Sequence, residues 1–167
     1  MRVMDIFYAF PSVLLAIAIS GMMGGGMYNG LIALSMVFIP PLCRIAETAT
    51  TQVRHLDFVE AARASGASSR SIILHHVVGN VLAPVLIYAS SLISVSVLLS
   101  AGLSFLGLGV PITEPSLGLL IANGYQYMLS GQYWISFYPG IALLVTVMAI
   151  NLVGDQLRDV LNPRLQR

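Results

Sequence analysis

Asp57, Glu60 and Arg63 recur at three-residue intervals in the segment Asp57-Phe58-Val59-Glu60-Ala61-Ala62-Arg63-Ala64, and Gly66 follows two residues later. This is the chemistry of a binding helix rather than of a catalyst. Asp57 reads as an N-cap, and Glu60 three residues on completes a capping box. Glu60 and Arg63 can pair at i,i+3, which leaves little net charge. Gly66 stands where the residue beyond a helix end takes the left-handed conformation. Ser68 or Ser69 can cap a second helix running through Ile72, Ile73 and Leu74. A solvated linker carries the same capping signals. A solvated helix, however, is expected to carry more charge than Ala61-Ala62-Arg63-Ala64, and small side chains permit close packing. A short helix with alanine at its centre suits insertion into a groove on another protein.

Other polar residues carry less. His75 and His76 are adjacent, so on a helix they point about 100° apart and cannot face one metal ion together. With no carboxylate or cysteine at helical spacing, they read as a membrane-surface pair. Glu114, between Pro111 and Pro115, reads as a solvated loop acid or as a substrate-facing carboxylate near an outer mouth. Asp155, Arg158 and Asp159 fit pairing near a helix end. The serines Ser90, Ser91, Ser94, Ser96 and Ser100 fall in one apolar stretch without a His or Lys partner. Hydrogen bonds across helices, or the lining of a passage, are their expected roles, rather than those of an intramembrane nucleophile. A proton-driven carrier tends to bury ionisable groups at midplane, and these spans hold none. There is no Gly-rich loop ending in Lys-Ser/Thr, and no Lys at all, so the chain is not its own P-loop ATPase. Cys43 lies in an apolar stretch and reads as a small buried hydrophobe.

The elements that position these residues are apolar. Of the 167 residues, 57% are hydrophobic and 9% charged, against about 25% charged in a soluble domain. Between Arg70 and Asp155 the one charged residue is Glu114. An all-α membrane protein follows, with four expected spans at about 6–23, 28–46, 81–106 and 135–153. The apolar part of the second, Leu31 to Cys43, is short, and Pro40-Pro41 are expected to kink it. A single transmembrane domain over 1–167 would then have a polar loop at 47–80, an opposite loop at 107–134 and a tail at 154–167. All eight basic residues are Arg; with Arg44 snorkelling from the end of the second span, all of them fall on the one side that four spans assign to these segments. The positive-inside rule makes that side the cytoplasm, with the C-terminus there. Tyr125, Tyr127, Tyr133 and Trp134 cluster where an outer aromatic belt would sit. In the same stretch, Leu117 to Leu129 fits either an interfacial segment or a pore-lining re-entrant one. The arginines are not interleaved with aromatics, as a nucleic-acid groove would need.

The polar loop resembles the EAA motif of ABC-importer permeases, in which Glu-Ala-Ala is followed after three residues by Gly: here Glu60-Ala61-Ala62 and Gly66. More specifically, Asp57 to Ala64 is similar to the loop of the dipeptide/oligopeptide/nickel permease family, C-type subunit. Leu103-Ser104-Phe105-Leu106-Gly107-Leu108-Gly109 and Pro115-Ser116-Leu117-Gly118 are similar too, as is the tail from Asn151 to Asp159 with Asn162-Pro163-Arg164-Leu165. This chain departs from the family pattern in having Gly79 before Asn80 and Leu117 after Pro115-Ser116. The resemblance implies a multi-pass subunit in a bacterial or archaeal inner membrane, lacking the first two of the family's six spans. Glu60, Ala61, Ala62, Arg63, Ala64 and Gly66 would form the coupling loop to a cytoplasmic ATPase. It further implies two ATPase subunits, a second permease subunit and an extracytoplasmic substrate-binding protein as partners. ATP and Mg would be bound by the ATPase, with no cofactor in this chain. Peptides are the implied cargo, with nickel or another small solute as an alternative. A truncated, non-transporting structural subunit is a further alternative.

Overall fold

The structure is a computed structural model that describes residues 7–8 and 10–161, and every regular element among them is helical. In chain order these are α1 (Ser12–Met22), α2 (Met27–Val53), α3 (Asp57–Ala64), α4 (Ser69–Phe105), α5 (Leu117–Tyr125) and α6 (Trp134–Leu161). A single 3₁₀ turn, Met128–Ser130, precedes α6.

Three helices, α2, α4 and α6, are long and apolar enough to cross a bilayer. At about 1.5 Å per residue, the 27 residues of α2 extend about 40 Å, past the roughly 30 Å of a hydrocarbon core. The first expected span is different. Its described helix, α1, has 11 residues and reaches only about half the bilayer thickness. Pro11 sets this start: it lies just outside the helix at φ −57°, ψ 125°, and its ring disfavours helical geometry at Phe10. A single unbroken helix over 6–23 is therefore not formed; residues 6 and 9 of that range lie outside the described residues.

Each long helix also outruns its apolar segment. α2 continues through Pro40-Pro41 without interruption and on to Val53, with Thr50 Oγ1 donating to its own Ala46 carbonyl at 2.7 Å. α4 begins at Ser69 rather than near Val81, and a π-helical stretch, Ile72–Val77, leads straight into the apolar part. No break falls at Gly79-Asn80. α6 runs past Val153 to Leu161, carrying Asp155, Arg158 and Asp159 as exposed side chains without an ion pair among the described residues. Membrane exit and helix end are thus different events. The hydrocarbon edge is set by hydropathy, whereas the helix stops only where the backbone is capped or broken.

The chain divides into two compact units. One comprises the chain up to Pro40 with Leu92–Val153; the other comprises Pro41–Ser91 with the residues from Gly154 onward. Ala16, Leu34, Val37 and Leu103 form the core of the first, with Phe38, Leu99 and Leu108 packed against it. The second has a smaller core of Val53, Val59 and Ile72. Along α6, none of the most apolar stretch is buried, and Phe137, Leu144, Met148 and Leu152 are all exposed. Such a surface is unstable in water and suits lipid or a neighbouring subunit.

Candidate functional site

The segment Asp57–Ala64 forms α3, an eight-residue helix in the second unit. Its start differs from the expected capping box. Leu56 is the N-cap residue, extended at φ −81°, ψ 146° with no side-chain cap, and Asp57 is the first helical residue. The tight connection from α2 is responsible. The Leu56 N–H donates to the Val53 carbonyl at 3.1 Å, and the Leu56 carbonyl already accepts from Val59 N–H at 2.9 Å. Asp57 therefore sits one position too far into the helix to cap it. Asp57 and Glu60 still lie in the first turn and Arg63 in the last, the charge order that the helix dipole favours. Glu60 and Arg63 are both exposed and do not pair with each other.

The end of α3 follows the expectation closely. Gly66 has φ +80°, its N–H donates to the Arg63 carbonyl at 3.1 Å, and Ala67 N–H donates to the Ala62 carbonyl at 3.1 Å. These are the two bonds of a Schellman motif, and Ala62 and Ala67 supply its apolar contact by packing on the same core. Two residues later Ser68 caps α4, its hydroxyl accepting from Ser71 N–H at 3.3 Å. A turn of four residues, Ser65 to Ser68, thus joins two helices with their end groups satisfied.

Beneath α3, Val59 is 1% exposed and wedges between Val53 and Ile72. Full burial of a valine is worth roughly 1.5–3 kcal/mol, enough to seat so short a helix. Phe58 leans on the His76 ring, with centroids 6.1 Å apart. His75 Nδ1 instead lies 3.1 Å from the Ser71 carbonyl oxygen, so the two neighbouring imidazoles have separate surroundings. The outward face of α3 presents Glu60, Ala61, Arg63 and Ala64, with Gly66 exposed beside them. The structure thereby brings Glu60, Ala61, Arg63, Ala64 and Gly66 to exposed positions on one helix and its turn, while Ala62 turns inward onto the Val59 core. Val59 and Ser68 hold the helix there. Val59 was legible as the apolar residue three before Ala62, yet it lies inside a segment whose polar residues draw the eye.

In the first unit, two family-like segments meet as packing devices. Ser104 is buried and its hydroxyl accepts from Val110 N–H at 3.3 Å. Ser116 caps α5 by accepting from Leu119 N–H at 3.2 Å. Gly118 lies so close to the Ala101 backbone that any Cβ would overlap the Ala101 carbonyl. Ser136 Oγ, from α6, donates to the Ile121 carbonyl at 2.9 Å. Leu117–Tyr125 is accordingly a packed helix and not an irregular loop. Tyr125, Tyr127, Tyr133 and Trp134 are all exposed around it, and so is Glu114.

The serines of α4 depart from one expectation. Ser90, Ser91 and Ser96 donate to carbonyls of their own helix, at Ile87, Ile87 and Ile93, not across to another. Ser94 Oγ is buried with no partner. A hydroxyl one turn above a carbonyl bonds locally at little entropic cost, so back-bonding wins.

Residues 1–167 match the family model for the binding-protein-dependent transport system inner membrane component. A putative peptide transport system permease protein of Brucella suis is 44% identical over 166 residues, covering 99% of this chain and 56% of the relative. The dipeptide transport system permease protein DppC of Alkalihalophilus pseudofirmus is 36% identical, over 99% of this chain and 54% of its own length. The glutathione transport system permease protein GsiD of Pectobacterium atrosepticum is 35% identical, over 99% and 55%. The chain spans about half the length of these curated relatives.

Proposed function

Because the chain belongs to the family of binding-protein-dependent transport system inner membrane components, we propose that it is a permease subunit of an ATP-driven importer of small peptides. The carrying observation is α3: a short helix fixed from beneath by Val59, with Glu60, Ala61, Arg63 and Ala64 facing outward. Its small side chains let a cleft on a separate ATPase close around the backbone, while Glu60 and Arg63 offer one charge of each sign at the rim. The peptide and dipeptide names of the relatives support the choice of cargo.

In this reading α3 lies on the cytoplasmic side with the arginines. Two ATPase subunits, a second permease subunit and an extracytoplasmic binding protein complete the assembly, and the ATPase binds ATP and Mg²⁺. Closure of the ATPase pair displaces α3. The Schellman turn and the Ser68 cap leave no slack between α3 and α4, and α4 is one 37-residue helix. A push on α3 therefore enters a lever about 55 Å long, and this tilts the membrane segment between its two states. α3 itself forms and breaks no covalent bond; its work is differential contact with two ATPase conformations.

Co-purification of the ATPase with the assembled transporter tests this. Glu60→Arg leaves the Val59 core untouched but reverses the rim charge, and the recovered ATPase is expected to fall about tenfold, the effect of a lost interfacial charge contact. Undiminished recovery, with undiminished peptide-stimulated ATP hydrolysis, would sink the coupling role of α3.

A further inference from the structure

The first unit contains an open cavity of about 480 Å³, within the roughly 300–1,000 Å³ typical of small-molecule sites. Five of its fourteen lining residues are serines: Ser35 on α2, Ser96, Ser100 and Ser104 on α4, and Ser116 at the start of α5. No lining residue is ionisable. Five hydroxyls from three elements thus converge on one space.

Their hydrogen bonds divide them by role. Ser35 Oγ donates to the Leu31 carbonyl at 2.8 Å and Ser96 Oγ to the Ile93 carbonyl at 2.7 Å. Their protons are used, and their oxygens remain free to accept. Ser104 Oγ and Ser116 Oγ instead accept from Val110 and Leu119 N–H groups, so their protons remain free to donate. Ser100 has no hydrogen-bond partner among the described residues and can do either. A peptide amide offers one N–H and one carbonyl, and this wall offers acceptors and donors to match. A net charge would find no counter-charge here, and burying it against an apolar wall is costly. Neutral hydroxyl bonds are also weak enough to release what they hold, as any passage requires.

We propose that this serine-lined cavity receives the amide groups of small, net-neutral peptides, with the charged termini left in the water of its open side. The assignment rests on the importer reading above, and adds to it a place for the peptide and a preference for net-neutral ones.

The experiment uses the assembled transporter in proteoliposomes, with Cys43→Ala removing the chain's one native thiol. Ser100→Cys and, separately, Ser96→Cys are exposed to a water-soluble cationic methanethiosulfonate. Val95→Cys, on an exposed face of the same helix, is the control. Both serine positions are expected to react about tenfold faster than the control, because water reaches the thiolate only in a wetted cavity. Dialanine should slow the reaction severalfold, and net-cationic lysylalanine should protect far less. If neither cysteine outpaces the control, or dialanine gives no protection while the unmodified assembly still takes it up, the cavity assignment fails and the importer reading stands. Equal protection by lysylalanine defeats the net-neutral class. An unmodified assembly that takes up no peptide at all defeats the importer reading, and this assignment with it.

Discussion

At Gly66 the left-handed backbone, φ +80°, is combined with open space: nothing lies within 4 Å of where a Cβ would stand. A side chain there meets no clash, so the whole cost of Gly66→Ala is conformational, about 1–2 kcal/mol for an L-residue in this region. Asparagine tolerates the same region better, so Gly66→Asn should fall between alanine and the native residue. Hydrogen exchange on the detergent-solubilised protein reads this directly. The Gly66 and Ala67 amides, which close the Schellman motif, should exchange about 5–30-fold faster in Gly66→Ala. Equal exchange in all three proteins would mean that the turn is not held by its glycine. The general point at this scale is that α3 owes its shape to residues on either side of its charges. Glu60 and Arg63 do not bind each other, and Asp57 does not cap; Val59, Gly66 and Ser68 do the holding.

At the scale of elements, glycines of the same composition play opposite parts. Gly118 abuts the Ala101 backbone, while Gly102, one residue further along α4, has nothing within 4 Å. Gly118→Ala must push α5 off α4, an overpacking cost of about 1–3 kcal/mol. Gly102→Ala only restores helix propensity, a gain of up to about 1 kcal/mol. Thermal melts of the solubilised protein should therefore move in opposite directions for the two variants. A Gly118→Ala protein that melts no lower than the native one would show that α5 does not pack on α4 as described. How far each element was legible follows from the same contrast. The glycine that ends α3, the serine that starts α4 and the apolar stretches of α2, α4 and α6 are written in local spacing, and the sequence shows them. Pro11 shortening α1, Leu56 taking the N-cap position from Asp57, and α4 running unbroken from Ser69 are decided by backbone hydrogen bonds that local spacing does not carry. The residues of the α3 motif were visible in the sequence, but the serine cavity was not. Ser35 and Ser116 are 81 positions apart in the sequence, and only the packing of α5 brings them to one space.

For the whole molecule, the distribution of charge makes the strongest demand. All eight basic residues lie at the chain's start, between the apolar part of α2 and the apolar part of α4 (Arg44 in the C-terminal half of α2 itself), or beyond the apolar part of α6. The segment from Gly107 to Trp134 has none and is instead rich in exposed tyrosine and tryptophan. Placing an arginine at the centre of a bilayer costs about 2.5–3.5 kcal/mol on insertion scales, and arginine-rich segments are retained on the cytoplasmic side. The α3 segment and the α5 segment should therefore face opposite sides of the membrane. In a Cys43→Ala background, Tyr127→Cys should react with a membrane-impermeant maleimide in intact cells. His55→Cys, next to α3, should react only once the cells are permeabilised. Labelling of His55→Cys from outside would invert the orientation and remove α3 from the reach of any cytoplasmic ATPase. Labelling of both from outside would show that the segment between α3 and α5 does not cross the membrane, and would overturn the lever role proposed for α4.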